Sequence, residues 1–185
     1  MHVPTHLAIS WLVAHGLAER RDRRLVAWAG VAPDIDALSL LAGPEGIRHY
    51  HHILTHNLVS AIVVTFLFTA FARDRLKVAI LALTTFHLHL LCDLLGAGRD
   101  WPIVYLWPFS RYEYYTPYGW PLASWENVTI TFVALALIAW VGIVRGCTFV
   151  ETFAPAKAGA AVVEVLRRRF APHRAQTPPA SPNDP

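Results

Sequence analysis

The sequence predicts an all-α fold: a helical membrane bundle of about five helices, followed by a C-terminal amphipathic helix and a disordered tail. Three observations carry that expectation. Apolar residues make up 55% of the 185 residues and charged residues 16%, against about 25% in ordinary soluble domains. Mean hydropathy is +0.37. Apolar runs of helical length alternate with short arginine clusters, the pattern of loops that flank membrane helices. We divide the chain into a helical membrane domain over 1–150, a basic amphipathic segment over 151–170 and a tail over 171–185.

The first run, Val3 to Ala18, is broken only by His6, His15 and small hydroxyls. It lacks the basic leader and small-residue cleavage site of a signal peptide, so it reads as the first helix. Leu25 to Gly43 carries only Asp34 and Asp36 as charges, and Pro33 offers a break within it. Asn57 to Ala72 is uncharged and ends at Arg73. Val78 to Cys92 holds His87 and His89 as its only basic groups. Asn127 to Val144 is uncharged for eighteen residues and ends at Arg145, near the ~20 residues of a bilayer span. The other four runs are short for a full span, and such lengths also suit the buried helices of a compact soluble bundle.

Between Arg99 and Trp125 lies an aromatic, proline-rich stretch with Trp101, Tyr105, Trp107, Tyr112, Tyr114, Tyr115 and Tyr118. Aromatics this dense suit a membrane interface, or a packed loop that caps the bundle. Ala154 to Phe170 predicts a basic amphipathic helix on a membrane surface. From Ala171 the proline-rich, small-residue composition predicts disorder.

Several function classes are excluded. Two cysteines, Cys92 and Cys147, cannot build a disulfide scaffold or a CxxC zinc finger. The balance is basic, +3 with a pI near 9.1, but no basic face carries interleaved aromatics, so no nucleic-acid partner is expected. There is no GxSxG elbow, no P-loop and no dinucleotide fingerprint.

The chemistry lies in the polar residues inside the apolar runs. Ionisable groups in membrane segments are costly, so each is a functional candidate. They form four clusters: Thr5-His6; Pro33-Asp34-Ile35-Asp36; His51-His52-Ile53-Leu54-Thr55-His56-Asn57; and His89 with Asp93. His89 and Asp93 are four apart and share a helix face, and His52 and His56 are also four apart. Histidine with carboxylate is the ligand set of zinc and related ions. A single such pair reads more readily as a hydrogen-bonded core pair; four clusters within 100 residues point to a metal. Alternating the helices puts every cluster on one side of the bundle. Of the sixteen basic residues only Arg48, Arg99 and Arg111 fall on that side. Because basic loops stay cytoplasmic, the clusters are expected on the non-cytoplasmic side and the C-terminus inside.

In order, Thr5-His6, Pro33-Asp34-Ile35-Asp36, His51 to Asn57, His89-xxx-Asp93 and Trp107-Pro108-Phe109-Ser110 resemble the YdjM family, a LexA-regulated group of inner-membrane proteins described as metal-dependent hydrolases. Its pattern runs TH, PDxD, HRxxTHS, HxxxD and PF, and the resemblance covers about Met1 to Ser110. His52 stands where the family has Arg, Asn57 where it has Ser, and Leu94 to Gly98 lacks the usual Thr. The family in turn is similar to zinc-dependent phospholipase C in its order of His and Asp ligands.

The resemblance implies a bacterial inner-membrane location and His6, Asp34, His51, His56, His89 and Asp93 as metal ligands. Six ligands exceed the four of one zinc, so two or more divalent ions, zinc above all, are implied. Asp36 and His52 are the catalytic candidates. Asp36 would bridge ions or act as general base; His52 would contact phosphate in place of the family arginine. The expected function is metal-dependent hydrolysis of a phosphoester, with membrane lipid as partner and a phospholipid head group as substrate. The alternatives are a divalent-metal-binding or transport protein without catalysis, and a structural membrane protein with a hydrogen-bonded polar core.

Overall fold

The computed structural model describes residues 1–175. Their regular elements are all helices, with a long non-helical stretch over 97–124, a single isolated bridge between Ile103 and Tyr114, and no strand among the described residues.

Helix α1 (Val3–Ala14) opens with Pro4 in its first turn, where a missing N–H leaves no intrahelical bond unmade. Helix α2 (Arg20–Ala29) is followed by a 3-10 helix (Ala32–Ala42) that carries Pro33 near its start. The proline ring cannot continue the ladder, and the two segments meet at 49°. The break falls at Gly30-Val31, just ahead of Pro33, so the apolar run 25–43 is two elements. Helix α3 (Pro44–Tyr50) leads into the histidine-rich turn. Helix α4 (Leu58–Ala70) is capped by the Asn57 side chain, which accepts from Ser60 N at 2.9 Å.

Helix α5 (Arg75–Gly96) is longer than the apolar run 78–92, because Asp74 caps its start and Leu94-Leu95 prolong the apolar pattern. Helix α6 (Trp125–Arg145) is capped by Ser124 and ends at Gly146, whose φ of +72° is the left-handed stop that glycine supplies. A 3-10 turn (Phe149–Thr152), α7 (Ala156–Phe170) and a helical turn α8 (Pro172–Ala175) complete the described chain. The expected disordered tail is therefore helical as far as Ala175, and its remainder lies outside the described residues. The division after residue 150 falls inside the Phe149–Thr152 turn.

At about 1.5 Å per residue, α5 (22 residues) and α6 (21 residues) reach the ~30 Å of a hydrocarbon core. The bent pair α2 plus the 3-10 helix is long and apolar enough only when the two segments are taken together; α1 and α4, at 12 and 13 residues, are too short to cross alone. Phe66 on α4 and Phe132 and Trp140 on α6 stay outward-facing and exposed, as a lipid-facing surface requires.

Helix α1 is the centre of the packing. Leu7, Ala8 and Trp11 meet Ala27 and Val31 on one side and Ala134, Ile138 and Val141 of α6 on the other. A second cluster joins α4 to α5 through Ala61, Phe86 and Leu90, with Ile103 of the aromatic loop on top. The arginine-rich loops gather at one end. Asp22 accepts from the backbone of Arg73 at 3.0 Å and of Asp74 at 2.9 Å, and Arg145 donates to His15 O at 3.3 Å. Helix α7 packs one face on α6: Val163 is buried and Arg167 donates to Ile143 O at 3.0 Å.

Gly30 marks the closest crossing. A Cβ there would lie 2.0 Å from Ser10 Oγ and 2.9 Å from Thr85 Cβ, so α1, α2 and α5 meet only because it has no side chain. Gly30→Ala is expected to lower the thermal midpoint in detergent by an overpacking cost of about 1–3 kcal/mol. An unchanged midpoint would show that the crossing relaxes freely.

Candidate metal centre

The ends of the helices remote from the arginine loops bring the polar clusters together. His6 comes from the first turns of α1, and Asp34 and Asp36 from the 3-10 helix. His51, His52 and His56 come from the turn before α4, and His89 and Asp93 from the last turns of α5. His52, His56, His89, Asp36 and Asp93 are all buried.

Two groups of ligand atoms converge. In each, one atom per residue lies within 4.8 Å of every other: His51, His52 and His56 in one; Asp34, His56, His89 and Asp93 in the second. His56 belongs to both. His6 lies outside both groups but beside them. Its Nε2 is 3.0 Å from Asp93 Oδ1, and its ring stacks on His89 with centroids 3.7 Å apart. The amino group of Met1 also lies against Asp93 Oδ1.

The ring orientations are fixed from outside the cluster. His89 Nδ1 donates to Gly30 O at 2.8 Å, and His52 Nδ1 to Trp101 O at 3.1 Å. His51 Nδ1 and His56 Nδ1 donate to the two oxygens of Asp36, at 2.6 and 2.9 Å. Carbonyl and carboxylate oxygens only accept, so in each ring the proton sits on Nδ1 and, in the neutral form, Nε2 presents a lone pair. Partners of this kind orient metal-ligating histidines and raise their basicity.

With every ring neutral, the inward-facing atoms are mutually repulsive. His56 Nε2 and His89 Nε2 are 3.3 Å apart, and Asp93 Oδ2 lies 3.4 and 3.0 Å from them. Asp34 Oδ1 is 3.6 Å from His89 Nε2. Asp34 Oδ2 and Asp93 Oδ2 are buried with no hydrogen-bond partner. In that state lone pairs face lone pairs in a buried space beside three carboxylates, an arrangement that a bound cation, or a proton on His56, relieves. The donor set of imidazole and carboxylate fits a divalent ion of the zinc class.

Outside the helices, burial pushes the His52 imidazole down to about 3, with the neighbouring His56 charge adding to the effect. Burial also opposes charge on His56, but hydrogen bonds to Asp36 and Asp93 outweigh it and raise this ring to about 9. Without another cation, the positive charge of the histidine turn therefore resides on the ring that both groups share.

The turn that carries these histidines is held by the aromatic loop. Val104 N donates to His52 O at 3.2 Å, and Leu58 N to Tyr105 O at 2.9 Å. His52 takes a left-handed φ of +67°, which a residue with a side chain seldom adopts. The strain sits where the ligand turn must reverse. Three further histidines make contacts of their own: His87 bonds to Tyr105 Oη at 2.8 Å, His15 to its own helix at Leu12 O, and His49 packs on Tyr50.

Sequence reasoning missed the carbonyls of Gly30 and Trp101. Every residue has a carbonyl, so no side-chain pattern marks the two that orient ligands. The Asp36 carboxylate was legible; its division between His51 and His56 was not.

The comparisons with known proteins agree with this architecture. The family model described as YdjM inner membrane protein matches residues 1–169, from the first helix to the end of α7. No curated protein and no solved structure matches the chain. With a match over nine-tenths of its length, the chain belongs to the YdjM inner membrane protein family.

Proposed function

We propose that this chain is a divalent-cation-dependent hydrolase of phosphoesters in the bacterial inner membrane. The observation that supports the reading is the convergence of His56, His89, Asp93 and Asp34 in one buried group, with Asp34 Oδ2 and Asp93 Oδ2 lacking a hydrogen-bond partner. Asp34, His56, His89 and Asp93 would hold one ion, and His51 and His52 would help hold a second; His56, whose Nδ1 donates to Asp36, has one lone pair and can serve only one of the two. His6 supports Asp93 and His89 from the α1 side.

An ion bound there supplies Lewis acidity toward a phosphoryl oxygen and toward a water. The protein's own groups do the rest. Asp36 is better read as a positioning residue than as a general base, because both of its oxygens are engaged by ring N–H groups. His52 is better read as a ligand than as a phosphate contact: it is buried, and its Nδ1 is tied to Trp101 O. Asp34 Oδ2 is the acceptor left free to take a proton from an attacking water.

The gathering of the arginine loops at the opposite end supports a site on the non-cytoplasmic side with the C-terminus inside. The outward apolar faces of α4 and α6 support membrane lipid as the surrounding partner.

Elemental analysis of detergent-purified protein is expected to find about two zinc-class ions per chain. A chelator is expected to abolish, and zinc or manganese to restore, turnover in a panel of phosphomono- and diesters. Ions without turnover of any ester would favour the second reading, a protein that binds or moves a divalent cation. No ions at all would leave a polar core.

Asp36→Asn is expected to weaken ion affinity about 10–100-fold while leaving the fold intact, since it loosens two ligand rings at once. Competition with a metal-sensing dye would read this directly.

A further inference from the structure

The bend between α2 and the 3-10 helix leaves a cavity of about 710 Å³ against α4. That volume lies within the ~300–1,000 Å³ of ligand sites. Its walls are almost wholly apolar: Trp28, Ile35 and Leu38 on one side; Val59, Val63 and Leu67 on the other. Ile35, Leu38, Val63 and Leu67 are also substantially exposed, so the cavity opens on the lipid-facing surface of the bundle.

The polar groups on its wall are nearly all occupied. Trp28 Nε1 donates to Thr152 O at 3.1 Å, Thr55 Oγ1 to Pro33 O, and Ser60 Oγ to Leu54 O at 3.3 Å. The exception is Asp34. Its side chain is nine-tenths buried, and its Oδ2 has no partner. Asp34 also belongs to the ligand group with His56, His89 and Asp93. One residue thus joins an apolar channel, open to the bilayer, to the cation-binding cluster.

We infer that this cavity seats the hydrocarbon chain of the substrate, a membrane amphiphile whose phosphoester head lies at Asp34. The inference rests on the phosphohydrolase reading for the head group; the chain site itself rests on the cavity. A long-chain alkyl phosphate is the simplest molecule with both features. Its tail would run between Val63 and Leu38 toward Leu67, entering sideways from the bilayer without crossing the arginine-rich end. The wall suits a hydrocarbon better than a sugar or nucleotide as the buried part of the substrate, because its few polar side chains are Asp34 and the already donating hydroxyls of Thr55 and Ser60.

The test is photolabelling of the full chain in nanodiscs with hexadecyl phosphate carrying a mid-chain diazirine, in the presence of zinc. Label is expected on peptides containing Leu38, Val63 or Leu67, competed by unlabelled hexadecyl phosphate. It is expected to fall at least fivefold in Val63→Trp and Leu67→Trp, which fill the cavity from exposed positions. Leu135→Trp, on the outer face of α6, is the matched control and should label as wild type. Label spread evenly over the outer faces of α4, α5 and α6, or indifferent to the filling variants, would mean boundary lipid only and would overturn the inference.

A second readout separates the two readings. The preference in kcat/KM for a long-chain over a two-carbon phosphoester is expected to fall at least tenfold in Val63→Trp. Equal hydrolysis of both esters by wild type would sink the chain site and leave the hydrolase standing. Specific, competable label without hydrolysis would do the reverse.

Discussion

Asp93→Ala is expected, on the proposed reading, to abolish divalent-ion binding and to lower phosphoester turnover about 10³-fold or more, the scale set by several kcal/mol of lost Lewis-acid stabilisation. Asp93 has this weight because of what meets it. Oδ1 takes His6 at 3.0 Å, and Oδ2 faces His89 at 3.0 Å, His56 at 3.4 Å and His52 at 3.7 Å. No other carboxylate in the cluster reaches four rings. Asp93→Asn is the sharper variant. It keeps the shape and one oxygen but removes the charge that offsets a divalent ion, and its amide would aim N–H groups at the space where a cation belongs. Both variants are expected to lose the ion as measured by elemental analysis. Full ion content in both, with the helical circular-dichroism signal intact, would take Asp93 out of the ligand set.

How far the sequence could be read follows from the kind of information each feature needs. The helices were legible because apolar runs are local, although the caps Asp74 and Ser124 start two of them a few residues ahead of the runs Val78 to Cys92 and Asn127 to Val144. The 49° bend was half legible, since Pro33 marks a break but not its angle. The site was legible as types and spacing. His89 and Asp93 must share a face of one helix, and alternating the helices collects the clusters at one end whatever the details of packing. The second layer of the site was not legible. That Asp36 spans His51 and His56, and that Trp101 reaches back to His52, depends on the path of a turn and a long loop, and no period encodes it. The cavity beside Asp34 is less legible still, because it arises from the angle between two segments rather than from either one.

The pair least readable from the sequence carries the largest stability effect. Glu151→Ala is expected to destabilise the fold by about 3–5 kcal/mol, read as a fall in the thermal midpoint in detergent or as faster proteolysis after α6. Glu151 sits 128 residues from Arg23, and its acidic side chain is buried in a strongly apolar chain. Arg23 grips it with two parallel bonds, Nε to Oε1 at 2.5 Å and Nη2 to Oε2 at 2.7 Å, the fork geometry of the strongest ion pairs. Trp11 Nε1 adds a third at 2.8 Å. Removing the carboxylate leaves a buried guanidinium and an indole N–H without their acceptor, and that uncompensated charge is where the cost arises. The double variant Arg23→Met/Glu151→Met should recover much of the loss, because replacing both partners by apolar side chains of similar size removes the stranded charge. The pair lies at the arginine-rich end, remote from the histidine cluster. Ion content per folded chain is therefore expected to stay unchanged in Glu151→Ala while stability falls, the opposite pattern to Asp93→Asn. A loss of ion in Glu151→Ala at temperatures where the chain remains folded would show that the two ends of α1 and α2 are mechanically coupled.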